Sequence, residues 1–317
     1  MHAVFLDYQT FSHSLDLSAL NKVISKFDFH STTTPDQVLN HCSTAEVILT
    51  NKVVLDSTTL KQLPHLKLIC ITASGYNNVD INAARELGIA VTNVSGYAKN
   101  SVAQYVFAQL LSYYSHIEDH NKNTREGQWQ KSETFCLHGK GSSELAGKSI
   151  GIIGYGALGG QVATIAHAFD MQVLIADRPN ATTIRADRTE FKEVIAQADI
   201  ITLHCPQTAE TENLFNAEVF SQMKNSAVLI NTARGALINN HDLLTALNNN
   251  QLACAILDVL EQEPPPEDHI LLAAQSSKLK ITAHIAWASE QAQQALLNLV
   301  ADNIVAFKQG KRVNRLD

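Results

Sequence analysis

Short apolar runs recur along the chain, separated by longer stretches in which apolar positions return every three or four residues. The runs at 4–6, 47–49 and 68–71 read as buried strands. The amphipathic stretch at 17–27, between the first two, has helical periodicity. Alternation of this kind predicts parallel sheets with helices on both faces. A second series begins at Ser149, with strands expected at 150–153, 173–176, 200–203, 227–230, 253–257 and 279–282. Six strands joined by helices fit one complete doubly wound sheet.

Two long helical patterns, 101–120 and 290–308, flank this second series. They would carry the chain into the second sheet and back out of it. The first domain is then expected from 1–100 together with 285–317, and the second from 101–284. There is no low-complexity linker and no repeat at a solenoid period. The Pro-rich spot Glu263-Pro264-Pro265-Pro266-Glu267 is too short to separate domains and reads as a shaped loop.

Composition narrows the classes. The chain has 317 residues, 45% of them hydrophobic and 17% charged, and a formal net charge of −7. The length suggests two domains with sizeable cores. The mild acidic excess leaves no footprint for nucleic acid. No apolar stretch is long enough to span a bilayer, and the first residues do not read as a signal peptide. Cys42, Cys70, Cys136, Cys205 and Cys254 are odd in number, widely spaced and free of CxxC pairs, so a reduced, cytoplasmic chain is expected. No metal site is expected.

The most informative local motif is Gly154-Tyr155-Gly156-Ala157-Leu158-Gly159, between a predicted strand and a predicted helix. Gly154 permits the tight turn, Gly156 lets the backbone approach a pyrophosphate, and Gly159 lets helix pack on strand. The helix N-terminus adds free N–H groups and a favourable dipole. The next strand ends at Asp177, where a carboxylate would accept hydrogen bonds from an adenosine ribose and repel a 2′-phosphate. This favours NAD(H) over NADP, with Arg178 as the residue that would soften the preference.

Three further segments follow predicted strands, at the edge where open α/β sheets place ligands. Asn231-Thr232-Ala233-Arg234-Gly235 supplies an arginine. Leu257-Asp258-Val259-Leu260-Glu261-Gln262-Glu263-Pro264 supplies two glutamates, and Thr282-Ala283-His284-Ile285-Ala286-Trp287 supplies a histidine. A guanidinium holds a carboxylate and polarises the adjacent carbonyl. An imidazolium protonates a developing alkoxide, and a neighbouring carboxylate orients it and favours its charged form. That set suits hydride transfer to a 2-oxo acid.

In this order, the motifs resemble the D-isomer-specific 2-hydroxyacid dehydrogenase family over nearly the whole chain. Gly75-Tyr76-Asn77-Asn78-Val79-Asp80, Ser101-Val102-Ala103-Gln104 and Leu203-His204-Cys205-Pro206 carry the resemblance along with the segments above. It implies a flavodoxin-like substrate domain joined to a Rossmann NAD domain. It assigns substrate binding to Arg234, support of the histidine to Glu263, and acid–base chemistry to His284. Family spacing from Asp258 selects Glu263 and leaves Glu261 a solvated loop acid. The backbone at Ser74 and Gly75 would hold the substrate carboxylate. His204, Cys205, Pro206, Thr232, Ala233 and Asp258 would line the nicotinamide side. The same resemblance implies a homodimer built on the nucleotide domain, with an arm at about 121–145.

Within the family, the segment from Thr282 to Ala288 and the stretch from Trp129 through Phe135-Cys136 resemble glycerate dehydrogenases, also called hydroxypyruvate reductases. The loop Thr50-Asn51-Lys52 should face the substrate; it carries one cation, whereas a phosphorylated substrate favours several. Hydroxypyruvate and glyoxylate are therefore the expected substrates, in a cleft between the domains, with Asn51, Lys52 or Ser74 answering a terminal hydroxyl. The alternatives are another 2-oxo acid reductase of the family, of the D-lactate or phosphoglycerate type, and an NADH-sensing scaffold like the corepressors that share the fold.

Overall fold

The apolar runs form two parallel sheets, each closed on both faces by helices, in a computed structural model that describes residues 1–12 and 14–317. The chain divides into two compact units, Met1–Ala98 with Trp287–Asp317, and Lys99–Ala286.

The first unit has strands β1 His2–Phe5, β2 Lys26–Phe29, β3 Val47–Thr50, β4 Leu68–Ile71 and β5 Ala90–Thr92. Their order is β2-β1-β3-β4-β5, all parallel. Strand periodicity sends alternate residues to opposite faces. Val4, Ile48, Ile69 and Val91 enter one core with Val38, Leu55 and Leu60. Ala3, Phe5, Leu49 and Cys70 enter the other, where Leu296, Leu297, Val300 and Ile304 of the C-terminal helix Glu290–Lys308 cover them. Each fully buried Val, Leu, Ile or Phe among them contributes roughly 1.5–3 kcal/mol by leaving water. Trp287 meets Phe11 and Tyr97 edge-on, which accounts for it as packing.

The second unit has β6 Ser149–Ile153, β7 Gln172–Ile175, β8 Ile200–Leu203, β9 Val228–Asn231, β10 Cys254–Leu257 and β11 Leu279–Ile281. The order is β11-β10-β9-β8-β6-β7, again parallel throughout. Helix Lys99–Ser115 and helix Ala157–Ala168 cover one face through Val106, Phe107, Leu110, Val162 and Ala166. Beyond β7 a single parallel bridge joins Ala176 to Thr189. The strand order reverses between β6 and β8, which places the switch point at the glycine-rich turn.

Two local expectations give way. The helix expected over 17–27 is Ser18–Val23 only, and Lys26–Phe29 is the edge strand β2. Its pairing with β1 overrides the helical periodicity. The helical pattern at 101–120 is broken: helix Lys99–Ser115 stops, His116 takes a left-handed φ of 48°, and a second helix runs Ile117–Arg125. The segment that follows exposes Trp129 and Phe135.

Candidate active site

The glycine-rich turn is built by close approach. Gly154 has φ +97°, and a Cβ there would lie 2.4 Å from the Cys205 nitrogen. A Cβ on Gly159 would lie 2.2 Å from the Gly154 carbonyl oxygen. Any side chain at either position would pry the turn from the sheet. Gly156 is different: a Cβ there meets nothing within 4 Å. It caps helix Ala157–Ala168 with no side chain bonded to the helix's first N–H groups. Exposed Tyr155 and Ala157 and half-buried Leu158 complete this open rim.

Two buried polar atoms beside it lack a protein partner among the described residues: His204 Nδ1 and Thr232 Oγ1. His204 is held by its backbone N–H to Ile153 and by Nε2 against the Thr202 hydroxyl at 2.9 Å. Burial pushes its imidazole down to about 4, so it is neutral at ordinary pH. Burial also pushes the Cys205 thiol up to about 11, which makes it packing rather than a nucleophile. Pro206 is exposed and Ala233 half-buried at the same strand ends. Open space over a helix N-terminus, with an orphaned His204 nitrogen at the switch point and an orphaned Thr232 hydroxyl two strands from the turn, suits a dinucleotide with its pyrophosphate at Gly156.

Arg234 stands on a turn that Asn231 shapes. The Asn231 amide donates to the Arg234 carbonyl at 2.8 Å and accepts from the Ala233 N–H at 3.0 Å. Gly235 then presses on the neighbouring loop, since a Cβ there would lie 1.9 Å from the Leu260 carbonyl carbon. The arginine turn and the loop that bears Glu261 and Glu263 are thus locked backbone to backbone.

His284 Nδ1 lies 2.6 Å from Glu263 Oε2, and the Leu260 N–H donates to Glu263 Oε1 at 3.0 Å. His284 Nε2 has no hydrogen-bond partner among the described residues. The histidine has φ +55°, a strained region for a residue with a Cβ. Asp258 sustains it. Its carbonyl accepts from the His284 N–H at 2.8 Å, and its carboxylate accepts from Ile285 N–H, Ala286 N–H and the Thr282 hydroxyl at 3.0, 2.8 and 2.6 Å. Asp258, expected beside the cofactor, is buried with both carboxylate oxygens turned to the histidine loop. Glu261, expected as a solvated loop acid, is exposed and also pairs with His269 at 3.1 Å and with the Asn240 amide.

Asp177 sits at the end of β7 with a fully engaged carboxylate. It accepts from the Arg178 N–H at 2.8 Å, the Arg185 N–H at 2.9 Å and the Arg185 guanidinium at 2.6 Å. The Arg185 guanidinium, then the Arg185 N–H, hold its carboxyl well below the usual carboxylate range although loss of water pulls the other way. The cation at this corner is Arg185, which sequence reasoning missed; Arg178 contributes its backbone.

In the first unit, Asp7 is the residue that sequence reasoning overlooked. Its buried carboxylate accepts from the N–H groups of Asn51, Lys52 and Val53 and from the Thr50 hydroxyl. This cradle fixes the 50–53 loop, with Lys52 exposed and Asn51 buried toward Thr10. The Ser74 hydroxyl donates to the Val94 carbonyl at 2.9 Å, and half-buried Gly75 follows it. Thr72 Oγ1, at the end of β4, is buried without a partner among the described residues.

Comparison with known proteins identifies the family. Residues 107–286 match the family described as D-isomer specific 2-hydroxyacid dehydrogenase, NAD binding domain. A glycerate dehydrogenase of Methylorubrum extorquens is 39% identical over 307 residues, covering 95% of this chain and 96% of that protein. A hydroxypyruvate reductase of Blautia hydrogenotrophica is 36% identical over 301 residues, covering 94% and 92%. Among solved structures, an acyclic imino acid reductase in complex with NADPH and D-Arg superposes with a TM-score of 0.86 at 26% identity, covering all of both chains. Among the described residues no helix is long and apolar enough to cross a membrane. The chain therefore belongs to the D-isomer specific 2-hydroxyacid dehydrogenase family and is an NAD-dependent 2-hydroxyacid dehydrogenase.

Proposed function

We propose that the chain reduces hydroxypyruvate to D-glycerate, and glyoxylate to glycolate, with NADH preferred over NADPH. The observation that carries the acid–base assignment is His284, bound to Glu263 through Nδ1 at 2.6 Å and uncommitted at Nε2. Glu263 fixes the Nδ1–H tautomer and offsets positive charge on the ring, so Nε2–H is the proton delivered to the substrate oxygen. The guanidinium of Arg234 binds the substrate carboxylate and polarises the carbonyl next to it. The bound nicotinamide supplies the hydride. The backbone at Ser74 and Gly75 adds donors for the carboxylate, and the loop of Asn51 and Lys52 answers the terminal hydroxyl. Gly156 would receive the pyrophosphate on the turn that Gly154 and Gly159 shape, and His204 Nδ1 and Thr232 Oγ1 are the polar atoms left for the nicotinamide side. The glycerate assignment draws support from the relatives of that name and from the single cation in the 50–53 loop. The exposed aromatics of the 121–145 segment favour a homodimer that covers them, and five free thiols suit a reducing, cytoplasmic setting.

Steady-state kinetics with NADH and three acids test the substrate. Catalytic efficiency is expected to fall from hydroxypyruvate to glyoxylate to pyruvate, because pyruvate leaves the hydroxyl's partner unpaired. Pyruvate, or a bulkier branched oxo acid, as best substrate contradicts the glycerate assignment and leaves the family untouched.

A further inference from the structure

The connection from β7 to the bridge at Thr189 is a closed loop. Asp177 N–H donates to the Thr189 carbonyl at 2.9 Å and Thr189 N–H to the Ile175 carbonyl at 2.8 Å, which pinches its neck. Inside the neck, Arg185 places its guanidinium on Asp177 through Nη2 at 2.6 Å and Nε at 3.1 Å. A carboxylate offers about four lone-pair positions, and the two N–H groups and the guanidinium of this loop occupy them. The loop also borders the dinucleotide cradle directly: the Arg188 guanidinium lies 4.8 Å from the centre of the Tyr155 ring, inside the glycine-rich turn. Asp177 is buried and its side chain 3% exposed, whereas that of Arg185 is 56% exposed. The pair is therefore a shielded anion under an accessible cation.

That geometry changes what the corner does. A free aspartate repels a 2′-phosphate and accepts from a ribose diol. Here the charge is offset by a guanidinium, and a ribose diol has to compete with it for the same oxygens. A 2′-phosphate meets a planar, bidentate donor suited to phosphate. We propose that Arg185 is a cofactor-specificity residue: it competes with the adenosine ribose for Asp177 and, displaced from it, pairs with a 2′-phosphate, so that the chain accepts NADPH far better than an uncovered Asp177 allows. This rests on the reading that Asp177 faces the adenosine ribose of bound NAD(H).

The experiment is equilibrium binding to the intact protein, without turnover. NADH and NADPH are titrated by nicotinamide fluorescence, and AMP and adenosine 2′,5′-bisphosphate by calorimetry. The variants are Arg185→Gln, Arg185→Lys, Arg178→Gln and Asp177→Asn. In the wild type the two reduced cofactors bind within about tenfold of each other. Arg185→Gln raises the NADPH-to-NADH ratio of Kd values by roughly tenfold or more, the loss of one charge-assisted contact. NADPH and the bisphosphate weaken, while NADH holds or tightens. Arg185→Lys falls between, and Arg178→Gln moves the ratio by less than about threefold, as a solvent-screened charge does. An Arg185→Gln ratio equal to wild type, with Asp177→Asn still weakening NADH, overturns the role of Arg185 alone. Asp177→Asn without effect on either cofactor overturns the underlying placement of Asp177. A ratio that moves in Arg178→Gln and not in Arg185→Gln assigns the corner to Arg178 and contradicts the proposal.

Discussion

One loop of this protein supplies the carboxylates of two carboxylate–imidazole pairs, Glu263 with His284 and Glu261 with His269. In both, a glutamate oxygen lies within 3.2 Å of a ring nitrogen. The difference is the second nitrogen. His269 accepts the Leu271 N–H at Nδ1 and donates to Glu261 from Nε2, and its side chain is only 4% exposed. Both of its nitrogens are engaged within the protein. His284 keeps Nε2 open on a partly exposed side chain held at a strained φ. Partial burial raises the Glu261 carboxyl, but the hydrogen bonds from His269, its own N–H and Asn240, with the charge on His269, outweigh it and hold it below the ordinary range. Residue type and pairing are therefore alike in the two; the uncommitted nitrogen of His284 is what the proposed acid–base role rests on.

The largest expected effect follows from that nitrogen. His284→Ala should lower turnover by about 10²–10⁴-fold with NADH binding retained, the usual loss for a positioned acid. His269→Ala should leave turnover of the folded protein within about threefold and instead lower the unfolding midpoint. It strips a partner from Glu261 and from the Leu271 N–H, at a cost of about 1–3 kcal/mol. Equal losses of turnover in the two variants break the comparison.

The glutamates sharpen it. Glu263→Gln should cost roughly tenfold or more in kcat with little change in the Kd for NADH, since the ring loses its oriented counter-charge. Glu261→Gln should move kcat by less than about threefold. A larger kcat loss in Glu261→Gln, measured in the same assay, assigns catalysis to the wrong pair.

Gly235→Ala probes what the pairs share. Its Cβ would strike the backbone of Leu260 and Glu261, so the loop has to shift as a unit. Overpacking of this kind costs about 1–3 kcal/mol. Both stability and kcat should fall, whereas a variant with lowered stability and intact kcat would show that the arginine turn and the glutamate loop are independent.

The smallest effect concerns a third imidazole, His204, which has no carboxylate. Its folded value is pushed from 6.5 to about 4 by burial. Below about 6.5 the unfolded chain takes up a proton that the folded chain refuses, so stability is lost as pH falls from 6.5 toward 4. The loss should be on the order of 1–3 kcal/mol. His204→Asn should flatten the unfolding midpoint over that window, and an unchanged acid slope would place the effect elsewhere.

The parts of this arrangement that lie on one strand end were legible in the sequence. The glycine-rich turn, Arg234, Glu263 and His284 each follow an apolar run, and both sheets declare themselves through such runs. What escaped was long-range and backbone-mediated. Asp7 reaches 44 residues along the chain to the Asn51 N–H, and Asp258 reaches 28 to the Ala286 N–H. Neither contact leaves a mark on the partner's side-chain type. Arg185 escaped because loop closure, set by a one-residue bridge at Thr189, brings it back onto Asp177. Strand β2 escaped because Lys26–Phe29 becomes a strand only against β1. The pairing of exposed Glu261 with His269 escaped because His269 lies across a proline-rich turn that has no periodicity to follow.

A pair of double-mutant cycles on kcat tests the central claim most directly, one for Glu263→Gln with His284→Gln and one for Glu261→Gln with His269→Gln. If Glu263 acts through His284, the first double variant is no slower than His284→Gln alone, and the second cycle shows coupling in the unfolding midpoint with none in kcat. Additive losses in the first cycle, or coupling in kcat in the second, would contradict the assignment of acid–base chemistry to the pair with the open nitrogen.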